Sequence, residues 1–526
     1  MRLTAEAKRT PPSVVSKGVP VPVPTGGWDA ISALANMPAD RAVQLDNWVP
    51  RPGWIEPRKG YIPHATGLGS QVTTVMAYNS FNTDNDKLFA VAGGTIWDVT
   101  TAGAAVPTIV TGLAHDQMQF IQFSNASATQ YLIAVDGNGG QKIYDGTAWA
   151  NLVVTGTGVA SGTFVNVNQH QGRLWFVQFN STDPCYLPVG DITGTAVVFP
   201  LGEFMSKGGF VVAIGTWTID TRQNVDEYIA FITSRGEVIV YAGTDPSTAE
   251  TWSLVGRYQL GRPLGYRCYS RISGDLLIAT IDGVIGMSEM LSTDRAAANR
   301  VSLTSVIQNA MAQAAQSSYE YFGWQISEYA KGTLAIVNVP IASGISNLPY
   351  VTSTFQFVMN TITGAWCKFT GITSNTWEVD ARDNVYFGGN DGTVYRWDSG
   401  WSDNGTAYTC ICKTAYSSFG NSPQLKRYTA IQPLVISNEV TLSIGINVNF
   451  IDDPSLSTDV FEGGEGSVIT PGTGPFPVSP TSNNWIGVFG MGHYVSVVTE
   501  VTLNTQSTVT LQLNGWNLTA ESGAFV

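Results

Sequence analysis

Charge is what this sequence has least of. Only 13% of its 526 residues are Asp, Glu, Lys or Arg, well under the quarter usual in a soluble protein. A protein bathed in water on every side normally carries more, so the shortage points to a surface largely hidden against partners. Histidine is scarce as well. His64, His115, His170 and His493 are far apart in sequence and none has a neighbour at metal-ligand spacing, which leaves them structural or surface roles. Five cysteines, an odd and thinly spread number, exclude a disulfide framework. The one close pair, Cys410 and Cys412, would share one face of a strand as small buried residues, because no second Cys or His cluster lies nearby to complete a metal site. No stretch reaches about 18 uninterrupted apolar residues, so stable membrane insertion is not expected. Met1 to Pro12 lacks the apolar core of a signal peptide, and synthesis and retention in cytosol follow as an expectation.

The motifs of catalysis are missing too. There is no HExxH, no GxxxxGK[ST] and no GxSxG. The stretch from Gly156 to Ser161 has two of the glycines of a dinucleotide loop, but lacks the third and the helix pattern that should follow. Asn82, Asp84 and Asp86 have the alternate spacing of a calcium loop, yet Lys87 stands where the sharp turn requires Gly. Asp136, Asn138 and Gly140 sit in a strand-to-strand turn. Both are expected to be Asx turns, in which the side chain caps its own backbone. No catalytic residue, metal or cofactor is expected, and the chain reads as a non-enzyme.

Glycine and aromatic residues are abundant instead: 55 Gly, 22 Phe, 20 Tyr and 15 Trp. With Thr and Val they make a composition of strands and turns, and the fold class is mainly β. From about residue 75 to 400 a pattern recurs: an apolar run, a Gly- or Asp-containing turn, and a second short strand. The cores begin at Lys87, Tyr131, Arg173, Glu227, Asp275, Thr333 and Asn384, at spacings of 44, 42, 54, 48, 58 and 51. This is near the repeat of a four-stranded β-propeller blade. One such sheet cannot bury both faces alone, whereas a ring of blades covers each face with its neighbour. Residues 61–400 are therefore expected to form a propeller of about six to eight blades. A helix is inserted over residues 302–316, where Leu303, Val306, Ile307, Ala310, Met311, Ala314 and Ala315 make one apolar stripe behind Ser302 as N-cap. That stripe either packs on its own blade or lines a docking surface.

The ends differ from the middle. Pro11, Pro12, Pro20, Pro22 and Pro24 make residues 10–25 extended, unfit for a central strand, an arm that lies on another surface. Trp28, Trp48 and Trp54 follow as apolar anchors, with turns at Gly26-Gly27 and Pro52-Gly53. Residues 401–526 form a β-rich domain: longer alternating strands over 405–450 and 485–526 suggest a β-sandwich, interrupted by a Gly/Pro-rich loop at 451–484 that carries Glu462 and Glu465. The net charge of −13 is uneven. Residues 1–60 hold eight basic and five acidic groups, a balance of +3, so the remainder carries −16. An acidic body does not grip phosphates, but it suits a wall past which DNA moves.

The segment Pro24-Thr-Gly26-Gly27-Trp28, then Met37-Pro38-Ala-Asp40-Arg41-Ala-Val43-Gln-Leu45-Asp46-Asn47-Trp48-Val-Pro50, then Arg58-Lys-Gly60-Tyr61, resembles the N-terminal signature of podovirus tail nozzle proteins, also called tail tubular protein B or stabilisation proteins. Arg41 departs from the pattern, in which Asp and Ala are contiguous. The motif covers under a tenth of the chain. The resemblance implies a structural virion protein at the end of a short phage tail, assembled in the host cytoplasm as a homohexamer around a channel. It implies a platform, built from the N-terminal arm and the sandwich-like C-terminal domain, against a tail adaptor ring. Packaged DNA would be retained and then conducted without sequence-specific binding, and tail fibres would dock outside. Trp28, Trp48, Arg51, Arg58 and Lys59 are the candidate platform contacts; the alternative for the tryptophans is the chain's own core. Two other functions remain open: a receptor- or carbohydrate-binding propeller of a phage tail, and a polysaccharide hydrolase or lyase whose acid pairs converge from different blades without a local signature.

Overall fold

A computed structural model describes residues 16–220, 225–292, 302–340, 355–420, 422–438, 440–461, 484–505 and 509–525. The chain divides into two compact units. The larger comprises Arg58–Tyr408 and Leu503–Thr508; the smaller comprises Met1–Pro57, Thr409–Thr502 and Val509–Val526.

The larger unit is a β-propeller, and its described residues form seven blades. Blade 1 has strands Thr74–Tyr78, Lys87–Ala92, Thr95–Asp98 and Val106–Pro107, and blade 2 has Gln119–Ser124, Gln130–Val135, Lys142–Tyr144 and Trp149–Asn151. Blade 3 has Phe164–His170, Arg173–Gln178, Cys185–Tyr186 and Val197–Val198; blade 4 has Val211–Asp220, Val225–Thr233, Glu237–Gly243 and Trp252–Gln259. Blade 5 is three-stranded, with Tyr269–Ile272, Asp275–Thr280 and Gly283–Gly286. Blade 6 has Gln325–Tyr329, Leu334–Val339, Phe355–Asn360 and Trp366–Thr370. Blade 7 takes Thr376–Val379, Val385–Gly388 and Val394–Trp397 from the end of the unit and a fourth strand, Tyr61–Thr66, from the beginning, with Gly103–Ala104 pairing beyond it. That exchange locks the ring, because unfolding the last blade requires pulling out the first strand.

Apolar clusters fill the gaps between blades. Phe89 and Tyr78 of blade 1 meet Tyr144 and Trp149 of blade 2, and Phe164 and Phe176 of blade 3 stack in the cluster shared with Ile133 and Val135 of blade 2. Trp175, Phe231 and Trp252 join blades 3 and 4. Leu276 and Ile278 join blade 5 to Trp217 of blade 4. Val75 and Ala90 meet Tyr386 and Val394 where blade 7 returns to blade 1. The first strands of blades 5, 6 and 7 lie side by side, so the ring is continuous.

At blade 5 the fourth strand is replaced. Leu303 donates its backbone N–H to Val284, and Ser302 bridges Ile285. The helix Gln308–Ser318 follows after the short 3-10 turn Ser305–Ile307. Ile307, Met311, Ala314 and Ala315 are buried, so the apolar stripe is spent within the unit. Ser302 is not the N-cap: it is held in the strand-like bridge, and the helix proper starts six residues later behind Ile307, which makes no side-chain cap.

The smaller unit holds two antiparallel sheets. One runs Ala42–Asp46, Tyr408–Thr414, Val495–Leu503, Val440–Val448, Ser457–Phe461. The other runs Trp48–Arg51, Trp54–Pro57, Leu511–Phe525, Gln424–Ser437, Ile486–Gly492, with Ser16–Pro22 also on Leu511–Phe525. Their alternating strands turn Tyr428, Leu442, Ile444, Val498, Leu513 and Leu518 inward. Trp516 Nε1 donates to Thr499 Oγ1 across the two sheets at 3.1 Å. The arm keeps its prolines out of any central strand, as their missing N–H groups require, and the surface on which residues 16–22 lie is the chain's own C-terminal strand. Residues 1–15, and the part of the Gly/Pro loop holding Glu462 and Glu465, lie outside the described residues. Among the described residues no helix is long and apolar enough to cross a membrane.

Candidate functional site

In the smaller unit, the signature segment turns at Gly27, whose φ of 82° suits glycine alone, and Trp28 Nε1 then donates to the Val43 carbonyl at 3.1 Å. Asn47 adopts φ 60°, a left-handed conformation that Asn tolerates, and its Nδ2 donates to the Thr409 carbonyl at 2.7 Å. Trp48 comes next and is wholly buried. Pro52 and Gly53 make the two-residue turn between Trp48–Arg51 and Trp54–Pro57, with Gly53 at φ 95°. Arg51 Nε lies 2.9 Å from Glu56 Oε1, and Trp54 Nε1 reaches the other oxygen of the same carboxylate at 3.3 Å.

Arg58 and Lys59 belong to the larger unit. Arg58 is buried, and its guanidinium forms a fork on Asp403 at 2.9 and 2.6 Å. It also donates to the Lys59 and Thr370 carbonyls at 2.9 and 3.0 Å and lies over the Tyr408 ring, 4.1 Å from its centroid. The Tyr408 hydroxyl donates to the Arg58 carbonyl. Two charges can be buried this way only because they pair with each other and the guanidinium also donates to the Lys59 and Thr370 carbonyls. Lys59 is half-buried, its Nζ 4.5 Å over the Trp401 ring. Tyr61 is edge-on to Phe387 and Tyr395 at 5.0 Å, and its hydroxyl is pushed up to about 12 by burial and by the Asp403 charge. Of the five candidate contacts, then, Trp48 and Arg58 are internal to their own units. Trp28, Arg51 and Lys59 keep accessible surface.

The propeller axis carries a second polar set that no local sequence pattern announced. Amide side chains staple the first strands of neighbouring blades. Gln122 of blade 2 brackets the Asn79 peptide after blade 1, accepting from its N–H at 2.8 Å and donating to its carbonyl at 2.5 Å. Asn166 and Asn168 of blade 3 do the same to the Ile214 peptide of blade 4, at 3.1 and 2.5 Å. Gln325 of blade 6 does so to the Trp377 peptide of blade 7, at 2.9 and 2.7 Å. A side-chain amide presents N–H donors beside a carbonyl acceptor in the spacing of a peptide, so one Gln, or Asn166 and Asn168 together, extends the sheet by one residue where neighbouring strands splay apart. Glu378 of blade 7 also faces inward; burial pushes its carboxyl up to about 8, against the opposing pull of the Ala77 backbone N–H and the Arg267 charge.

The other candidates are structural. His170 is buried with Nε2 3.1 Å from the Gly243 carbonyl, and burial lowers it to about 4. His64 Nε2 meets the Val99 carbonyl at 2.8 Å. Asp136 Oδ1 accepts from the Asn138 and Gly140 backbone N–H groups at 3.0 and 2.7 Å, and Asn82 Oδ1 from Asp84 at 3.1 Å, so both turns are Asx turns. Cys410 and Cys412 share the buried face of Tyr408–Thr414 as free thiols.

No family model matches this chain, and no curated protein matches it. Solved structures are similar to this chain at low identity. The WD40 propeller domain of Doa1 is 10% identical, with 65% of this chain and 97% of that one covered and a TM-score of 0.38. YCF48 bound to D1 peptide is 11% identical over 70% and 99% of the two chains, also at 0.38. A family 43 arabinoxylan arabinofuranohydrolase from Bacillus subtilis is 11% identical over 91% and 95%, at 0.25. At these values the likenesses carry no inference about ligands; the blade order above establishes the propeller.

Proposed function

We propose that this chain is a structural, non-enzymatic virion protein: the nozzle that ends the tail tube of a short-tailed bacteriophage. Several copies, six on the family pattern, surround a channel that retains packaged DNA and then conducts it. The observation that carries the reading is the placement of the signature residues. Gly27, Asn47, Trp48, Arg58 and Tyr61 each hold a joint of this fold: a turn, a left-handed corner, a core anchor, a buried ion pair and the start of the ring-closing strand. The pattern that resembles the nozzle family is therefore the pattern on which this architecture depends. The charge balance agrees, since an acidic body repels the phosphates it must let pass. Trp28, Arg51 and Lys59 are the platform contacts toward an adaptor ring, with tail fibres as further partners.

The test is to purify the full chain and image it by negative-stain electron microscopy alongside mass photometry. Six-fold rings with an open centre support the reading. A monomer or trimer that binds or cleaves host surface polysaccharide overturns it in favour of a receptor-binding or depolymerising propeller.

A further inference from the structure

Arg267 lies just before the first strand of blade 5, yet its hydrogen bonds go to blades 1 and 2. Its guanidinium donates to the Thr73 carbonyl at 3.2 Å, to Thr74 Oγ1 at 2.8 Å and to the Met118 carbonyl at 2.7 Å. Thr74 opens the first strand of blade 1, and Met118 directly precedes that of blade 2. Phe322, just before the first strand of blade 6, lies under the guanidinium at 4.9 Å. In a seven-membered ring, blades 5 and 1 are not neighbours: blades 6 and 7 separate them on one side and blades 2, 3 and 4 on the other. A side chain joining them crosses the axis.

We propose that Arg267 is an axial latch, a single side chain that ties blade 5 to blades 1 and 2 across the ring and closes the axis at the end where the first strands begin. The amide staples hold adjacent blades, Asn168 reaching one blade further to the Tyr269 hydroxyl of blade 5 at 3.3 Å, whereas Arg267 reaches from blade 5 across to blades 1 and 2. Its position fits the need. Blade 5 has three strands where the others have at least four, so it has the smallest sheet with which to resist displacement. The guanidinium is suited to the task because its donors fan out in a rigid plane and reach several acceptors at once. Burial lowers the Arg267 pKa to about 10, with the nearby Glu378 carboxyl of blade 7 opposing that shift. A buried cation held by two carbonyls and a hydroxyl is costly, and the cross-ring bonds are what it gains. Closure also means that no polymer threads this propeller along its axis; a conduit for DNA would run outside it, between copies. The latch itself does not depend on the nozzle reading.

Hydrogen exchange by mass spectrometry on the intact chain tests it. Arg267→Met is expected to speed exchange about ten-fold or more in peptides over 72–78 and 116–120 as well as 264–272. The rates over 173–178 and 237–243, in blades 3 and 4, stay unchanged. Thr74→Val should give a smaller rise over the same three stretches, and Thr74→Ser, which keeps the hydroxyl, should give none. If Arg267→Met does not fold, Arg267→Lys and Thr74→Val report the same pattern. A rise confined to 264–272, or wild-type rates throughout, overturns the latch.

Discussion

Arg58 and Asp403 are 345 residues apart in sequence and meet through two parallel hydrogen bonds of 2.9 and 2.6 Å in the interior of the larger unit. The pair sits where the chain enters its ring-closing strand and where it leaves the propeller, so one contact fixes both ends of the ring. Removing either partner strands a buried charge. Asp403→Asn or Arg58→Met should therefore cost about 3–5 kcal/mol in denaturant unfolding. The double change Arg58→Met with Asp403→Leu should recover much of that loss; a double variant as unstable as the sum of the singles would contradict it.

Ring closure by Tyr61–Thr66 makes a second prediction. Ala65 is wholly buried in the cluster joining blade 7 to blade 1. Ala65→Asp should destabilise the propeller by more than about 2 kcal/mol, since it buries an unpaired charge. Limited proteolysis should then cut first near the 61–66 stretch and blade 7. Unchanged resistance there would argue against closure by this strand.

The pH profile should bend on both sides. Glu378 is held near 8, against 4.5 when free, so between those values the unfolded state binds fewer protons and stability falls as pH rises. Glu378→Gln should flatten the profile from pH 5 to 9, gaining most over wild type at the alkaline end. His170 works in the opposite direction. Its folded value near 4 lies below 6.5, so the unfolded state takes the proton first and stability is lost as pH falls from 6.5 toward 4. Urea midpoints at half-unit intervals read both slopes, and parallel wild-type and Glu378→Gln curves would dismiss the first.

The seven cores were legible because each marks the second strand of a blade. Such a strand has neighbours on both edges and both faces, so it reads as a continuous apolar run. Lys87–Ala92, Asp275–Thr280 and Leu334–Val339 are buried along nearly their whole length. The outer strands of blade 3 left no signal, because Cys185–Tyr186 and Val197–Val198 are only two residues long. Ser302 looked like a cap because Ser precedes an apolar stripe, but the chain there spends three residues replacing a missing strand. Arg267, Thr74 and Met118 could not be linked from sequence, since no spacing rule relates residues that meet across a ring.

Trp48 and Lys59 should separate folding from assembly. Trp48→Ala removes a fully buried indole and should cost about 3–5 kcal/mol. Lys59→Glu changes a half-buried cation on Trp401 and should cost at most about 1–2 kcal/mol, while weakening assembly into rings or onto the adaptor. Native mass spectrometry beside thermal melts distinguishes them. A Lys59→Glu protein that assembles like wild type would remove Lys59 from the platform.

The most direct test of the central claim is to label virus particles from the source lysate with an antibody to this chain and view them by electron microscopy. The account predicts label at the far end of a short tail. Label on peripheral fibres, or no label on any particle, would contradict it.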